Sequence, residues 1–336
     1  MRPGPRNLVT DIAGLRVGQA SDARVKTGVT VLSVDVANVA SAHVMGGAPG
    51  TRDTELLAPE NTVEGVDAFV LSGGSAFGLD AAGGVQAALA GAGRGFEVAG
   101  HRVPIVPCAI LFDLANGGEK EPFGTLYRDL GRAAAEDLCE MLDLGSHGAG
   151  TGASTGGENG TNAYGLKGGI GSASMILERG ITVAALVAAN PVGAPCDADG
   201  RFHAAPFEFE GEFGGRGIST APLDGPLPLK MRAAPGGNTT IGIVATDATL
   251  TKAQAKRLAV AAHDGIARAV WPAHTPLDGD LLFAVATNAK PAPDLALWLD
   301  MGAAAQVVVA RSIARAVFAT APAPNDIVPA WTTLHG

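Results

Sequence analysis

A Gly/Pro-rich stretch, Ala233-Ala234-Pro235-Gly236-Gly237, runs into Asn238-Thr239-Thr240 and then into the apolar run Ile241-Gly242-Ile243-Val244-Ala245-Thr246. Val, Ile and Thr suit a pleated, buried strand, whereas Gly and Pro break regular structure. The pattern predicts a loop that delivers a hydroxyl residue to the first position of a core strand. That is the layout of a chain that cuts itself and uses the new N-terminus as its catalyst. A freed Thr239 joins a nucleophilic hydroxyl to an α-amine whose ordinary pKa, about 7.7–8.0, lies near neutrality. The same local pattern suits a Thr-rich strand start after a turn, so the remaining sequence has to decide between the two.

The 336 residues are 47% hydrophobic and only 17% charged, enough apolar material for one large core or two smaller ones. A net charge of -9 opposes nucleic acid as a main partner and opposes an anionic membrane surface, since both need basic residues. Cys108, Cys139 and Cys196 are odd in number and widely spaced, which fits reduced thiols in a cytoplasmic protein. No signal-peptide pattern and no membrane span are expected. The seven histidines lack HExxH or other tight ligand spacing, so no metal is expected.

Residues 28–44 read as paired strands, 66–71 as a short strand leading into a helix over 76–91, and 103–114 as strand-like. An amphipathic helix is expected over 126–142, and two strands over 172–190 with a turn at Glu178-Arg179-Gly180. Residues 191–238 are rich in Pro, Gly and Asp, and read as a functional loop or a cleavable linker. Beyond Thr239, a strand over 240–246 precedes a helix capped by Thr251, then a strand over 281–287 and a helix over 294–319 broken near Gly302. Strands and helices alternate in blocks, as layered α/β or α+β folds require.

Other motifs carry chemistry less clearly. Ser72-Gly73-Gly74-Ser75-Ala76-Phe77-Gly78 sits at a strand-to-helix turn, suited to anion binding or to close packing; it matches neither GxSxG nor a P-loop. Lys167, alone among glycines in Gly165-Leu166-Lys167-Gly168-Gly169-Ile170-Gly171, suits a partly buried charge partner or an exposed loop lysine. Asp278-Gly279-Asp280 lacks the remaining ligands of a calcium loop; its carboxylates can orient an amine or a hydroxyl, or simply flank a solvated turn.

Together with Gly46-Gly47-Ala48-Pro49-Gly50-Thr51-Arg52-Asp53-Thr54, these blocks occur in an order that resembles the DmpA-like self-processing aminopeptidases. That family includes L-aminopeptidase/D-esterases, β-peptidyl aminopeptidases and the nylon-oligomer endo-hydrolase. The resemblance runs from Thr10 to about Thr320. It implies an α+β fold, a four-layer αββα sandwich like that of N-terminal-nucleophile hydrolases, over a single domain spanning 1–336. It implies autocleavage between Asn238 and Thr239 into a 1–238 large chain and a 239–336 small chain that stay together. It further implies a homo-oligomer (a dimer or tetramer of processed pairs), no metal and no organic cofactor. By the same resemblance Thr239 is the nucleophile, Lys167 the site lysine, Asn190 the oxyanion-hole amide, and Asp278 and Asp280 the pair that orients the nucleophile and its amine. One position departs: several relatives carry Tyr where this chain has Phe112, so another donor is needed if that Tyr holds the oxyanion.

The resulting expectation is a self-processing amidohydrolase that cleaves short peptides or amino-acid amides through an acyl-enzyme on Thr239. Three alternatives stay open. One is a nylon-type 6-aminohexanoate oligomer hydrolase. Another is an acyl transferase like ornithine acetyltransferase, which the Gly237-Asn238-Thr239-Thr240 context disfavours. The third is an uncleaved, non-catalytic binding protein.

Overall fold

The computed structural model describes residues 1–120, 123–157, 165–220, 227–230 and 237–336. Two five-stranded sheets carry the fold. The first has the order β1-β2-β5-β8-β4, with β1 Leu15–Asp22, β2 Thr27–Val34, β5 Ala68–Ser72, β8 Cys108–Ile110 and β4 Thr51–Arg52. The second has the order β3-β12-β11-β10-β9, with β3 Val39–Val44, β12 Leu281–Lys290, β11 Thr239–Ala248, β10 Thr182–Asn190 and β9 Gly169–Ile176. A separate hairpin pairs β6 Phe96–Val98 with β7 His101–Val103.

The period-2 alternation of strands sorts side chains into layers. Along β10, Ala184, Leu186 and Ala188 face the other sheet, whereas Val183, Ala185, Val187 and Ala189 face helices. Along β12, Leu281, Phe283 and Val285 face the sheet, and Leu282, Ala284 and Ala286 face helices. In the first sheet Phe69 and Leu71 of β5 point to the inter-sheet core, and Ala68 and Val70 to the outer layer. Both faces of each sheet are therefore covered, which is why the strands read as continuous apolar runs rather than clean alternation. Helices α1 Ala81–Gly91 and α2 Leu126–Glu136 cover the first sheet, and α3 Lys252–Ala269 and α4 Leu295–Phe318 cover the second. The layering is the αββα sandwich that the resemblance implies.

Several local expectations hold, and others are corrected. Thr251 caps α3 by accepting from the Gln254 N–H. The β9–β10 turn falls at Glu178-Arg179-Gly180, with Arg179 at φ 59°. Within 28–44, however, the two strands do not pair: β2 lies in the first sheet, and β3 crosses to the edge of the second beside β12. Helix α4 is continuous through Gly302. It is long and apolar enough to cross a membrane, but 67% of that window is buried inside the protein, as suits a core helix. The described part of 191–238 is not a loose linker. Phe202 and Phe213 are buried, and Phe202 stacks on Trp331 of the C-terminal helix α5 Trp331–His335, with ring centres 5.6 Å apart. Residues 158–164, 221–226 and 231–236, part of the Gly-rich and Pro-rich stretches, lie outside the described residues.

Arg311 of α4 fastens this segment to the core. Its guanidinium is fully buried, donates to Glu212 at 2.6 and 2.9 Å, to the Ser174 carbonyl at 3.1 Å and to Asn7 Oδ1 at 2.9 Å, and lies over the Phe209 ring. Removing one partner of such a network leaves buried polar groups short of donors: Glu212 would lose both Arg311 contacts and keep Arg315, at 3.4 Å, and the Asn7 amide. Arg311→Met is therefore expected to cost about 2–3 kcal/mol in urea unfolding, the usual loss when buried polar groups give up their donors. A loss below about 1 kcal/mol, the usual value of a surface pair, would contradict that account.

Candidate active site

Sheet topology assembles the site. Strand β11 is central, antiparallel to β10 on one side and parallel to β12 on the other. Its first residue, Thr239, sits in register with Asn190, the last residue of β10. Because β12 runs parallel to β11, both strands begin at the same end of the sheet, and the Asp278-Gly279-Asp280 turn lies beside Asn238 and Thr239. Residues 190, 238–240 and 278–280, far apart in sequence, thus meet at one sheet end, and Asn190, Asn238, Thr239, Asp278 and Asp280 are all buried there.

The Asn238–Thr239 peptide is gripped on both sides. The Gly279 N–H donates to the Asn238 carbonyl at 2.9 Å, and the Thr239 hydroxyl donates to the same oxygen at close range. A side chain at 279 would place its Cβ 2.8 Å from Thr239 Oγ1 and 2.6 Å from the Ala48 carbonyl, so only glycine lets this loop come so near. Gly237 is equally constrained. Its φ is 104°, and a Cβ there would lie 2.6 Å from the Phe112 ring; both exclude a larger residue.

The two aspartates act as clamps on different strands. Asp278 Oδ1 accepts from the Val192 N–H just past β10 at 3.0 Å, and its Oδ2 accepts from the Thr275 N–H at 3.0 Å and hydroxyl at 2.7 Å. Burial, with the neighbouring Asp280 charge, raises its pKa above the ordinary carboxylate value. Asp280 Oδ1 accepts from the Thr240 N–H at 2.7 Å, and its Oδ2 lies 2.7 Å from His274 Nδ1.

Asn190 has a fixed amide orientation. Its Oδ1 accepts from the Ser154 N–H at 2.9 Å and from Lys230 Nζ at 2.7 Å; its Nδ2 donates to the Phe112 carbonyl at 3.1 Å and the Gly237 carbonyl at 3.2 Å. A flipped amide would set donor against donor on one side and acceptor against acceptor on the other. Phe112 thus enters the site through its backbone carbonyl and through its ring on Gly237. The backbone donor on the Asn238 carbonyl is the Gly279 N–H.

Lys167 flanks this group through its backbone, which pairs with Ser154, but its ammonium turns elsewhere. Its ammonium pairs with Asp326 Oδ2 at 2.7 Å, and Lys26 takes the other oxygen of the same carboxylate at 2.7 Å. A carboxylate shared by two buried lysines satisfies the isolated cation more completely than a glycine-lined loop could. The lysine at the junction is Lys230, which also donates to the Ser154 carbonyl at 3.1 Å and lies 3.4 Å from the Gly237 carbonyl. Burial pulls its pKa down to about 7, against the opposing pull of Asp278 and Asp113. Sequence reasoning missed Lys230 because it lies in Leu227-Pro228-Leu229-Lys230, where no periodicity or motif marks it.

The Ser72-Gly73-Gly74-Ser75 turn resolves toward packing. The Gly74 N–H and the Thr27 hydroxyl both donate to the buried Asp113 carboxylate, at 2.8 and 2.6 Å, so an internal side chain fills the place an external anion would take. Among the described residues, no group of three or more His, Cys, Asp and Glu is placed to hold a metal ion. A cavity of about 1100 Å³ lined by Arg16, Asp35, Glu64, Arg94 and Phe96 shares no residue with the junction.

The profile of Peptidase family S58 matches residues 7–326. The chain is 41% identical over 341 residues to a protein of Mycobacterium leprae named an uncharacterized aminopeptidase, covering 94% of this chain and 91% of that protein. It is 28% identical to the 6-aminohexanoate-oligomer endohydrolase of Paenarthrobacter ureafaciens, covering 85% of this chain and 76% of that one. The solved structure of an L-aminopeptidase D-Ala-esterase/amidase from Ochrobactrum anthropi, described as a variant of the Ntn hydrolase fold, superposes with a TM-score of 0.69 at 20% identity, over 98% of this chain and 92% of that one. The fold is thus the Ntn-hydrolase variant seen in that structure. The chain belongs to Peptidase family S58.

The depressed pKa of Lys230 links stability to pH. The folded lysine loses its proton near pH 7, whereas the unfolded lysine keeps it to about 10.5. Between those values the unfolded state binds more protons, so this residue makes stability rise with pH. Urea unfolding from pH 7 to pH 9 is expected to show the wild type gaining stability relative to Lys230→Met as pH rises. Parallel profiles would mean that Lys230 keeps its proton in the fold.

Proposed function

We propose that the protein is a self-processing N-terminal-nucleophile aminopeptidase that cleaves short peptides or amino-acid amides through an acyl-enzyme on Thr239. The observation that carries this reading is the grip on one peptide bond: the Asn238 carbonyl accepts from the Gly279 N–H, with the Thr239 hydroxyl on the same oxygen. Membership of a peptidase family supports the reaction class.

In self-processing, Thr239 Oγ attacks the Asn238 carbonyl carbon while the Gly279 N–H holds the developing oxyanion. The hydroxyl proton passes to the departing Thr239 nitrogen through water or through Lys230, whose ammonium lies 3.4 Å from the neighbouring Gly237 carbonyl and whose pKa burial pulls down to about 7. The C–N bond breaks, an ester forms on Oγ, and water then releases the Asn238 carboxylate and the free amine of Thr239. In turnover that amine takes the Oγ proton, directly or through water, as Oγ attacks the substrate carbonyl. Once the Gly237 carbonyl leaves, Asn190 Nδ2 is free to donate to the substrate oxyanion, its orientation still held by Ser154 and Lys230. Asp280 fixes the strand through Thr240, and Asp278 fixes the turn that carries Gly279.

Kinship to the 6-aminohexanoate-oligomer endohydrolases supports ω-amide oligomers as a second substrate class for the same site. Either substrate class gives the same mutational expectation. Asn190→Ala is expected to lower kcat for amino-acid p-nitroanilides by about 10²–10³, the usual cost of one oxyanion donor. Activity within threefold of the wild type would remove Asn190 from the proposed role.

A further inference from the structure

A row of three histidines leads away from the junction, and the reaction as described does not use it. His274 follows the cis-Pro272 turn, His263 lies on the inner face of α3, and His43 lies on edge strand β3. Adjacent rings meet edge to face, with centres 5.1 Å apart at each step. His263 Nε2 lies 3.0 Å from the His43 carbonyl, and His274 Nε2 lies 3.2 Å from the His263 carbonyl. A carbonyl can only accept, so both Nε2 atoms carry hydrogen.

That assignment fixes the charge of His274. With Nε2 protonated, its Nδ1 faces Asp280 Oδ2 at 2.7 Å. The N–H axis misses the line of a directed hydrogen bond, but a bare nitrogen lone pair that near a carboxylate oxygen would be repelled. Asp280 accepts two backbone N–H groups, from Thr240 on Oδ1 at 2.7 Å and from His274 on Oδ2 at 3.2 Å, so both of its oxygens are engaged as acceptors. The proton between the two side chains therefore belongs on His274.

We propose that His274, as an imidazolium, is a positioning residue for the nucleophile, holding the Asp280 carboxylate against the Thr240 N–H and so fixing the backbone at Thr239. The inference rests on the reading of Thr239 as the nucleophile. His263 and His43 insulate the pair rather than relay its proton. Their Nδ1 atoms are buried with no partner among the described residues, so neither can hold a second proton comfortably. Burial pulls His263 down to about 4, and burial with the nearby Lys256 charge lowers His43. Burial also works against a charged His274, but its contact with Asp280, the Asp280 and Asp278 charges and the His263 carbonyl outweigh it and raise its pKa above the ordinary histidine value. The groups facing His274 are thus Asp280 and Asp278 from its own turn, His263 from α3 and His43 from β3, with Lys256 behind His43.

A raised histidine pKa means that the positioning is present at acid and neutral pH and is lost as pH rises through that value. The first experiment is a ¹⁵N-histidine NMR titration of the wild type, with His274 assigned by comparison with His274→Gln. His274 is expected to be doubly protonated at pH 7, and His263 to be the neutral Nε2–H form. A neutral His274 at pH 7 overturns the proposal whether or not the protein is catalytically active, so this result stands apart from any failure of the Thr239 reading. The second is a double-variant cycle on p-nitroanilide turnover. His274→Gln is expected to lower kcat, with KM little changed, by about 10- to 100-fold, as misplacement of a reacting group does. Its alkaline limb should move relative to that of the wild type. In an Asp280→Asn background the same change should alter kcat less than threefold. Multiplicative losses in the two variants, or superimposable pH profiles, would mean that His274 does not act through Asp280.

Discussion

The structure depends on the parallel pairing of β11 with β12. An antiparallel neighbour at that place would send the Asp278-Gly279-Asp280 turn to the opposite end of the sheet. Parallel pairing requires a crossover, and α3 supplies it on the outer face of the sheet. The two strands then start side by side, and the Gly279 N–H meets the Asn238 carbonyl as a natural continuation of the ladder. The Asn238–Thr239 peptide is held by the same kind of hydrogen bond that holds the core.

Around that pairing the site is built from groups whose positions are over-determined. Asn190 is fixed by four contacts, Asp278 by three and Asp280 by two backbone donors and an imidazole. Such fixed polar groups need little rearrangement when charge develops, which is the property that makes a preorganised site effective. The cost is the burial of several charges together. Asp278 and Asp113 are raised and Lys230 is lowered, and each shift traces first to burial. Opposite charges on Lys230, Asp278 and Asp113 limit that cost without cancelling it.

Much of this was legible in the sequence because strong local signals agreed with the global fold. The Gly/Pro-to-β boundary at Thr239, the Thr251 cap and the hairpin over 172–190 all follow from turn and strand chemistry that tertiary packing did not override. The family resemblance pointed to Asn190, Asp278 and Asp280, and the fold brings the three to one end of the sheet. Other features depended on contacts between distant segments. Strands β2 and β3 look like a hairpin, yet Val39–Val44 crosses to the other sheet because its partner β12 lies about 240 residues later. Lys167 and Lys230 are both isolated cations in loops. The ammonium of Lys167 pairs with Asp326 near the C-terminus and that of Lys230 with Asn190, and no local pattern encodes either long-range partner.

The central claim is that Thr239 cuts the chain before it and then serves as the new N-terminus. Intact mass, measured on purified wild type beside Thr239→Ala, tests it most directly. The account predicts two wild-type chains meeting between Asn238 and Thr239, whose masses sum to the 33.6 kDa precursor plus one water, and a single uncut chain in the variant. A wild type that stays intact, or a variant cut at the same bond, would contradict it.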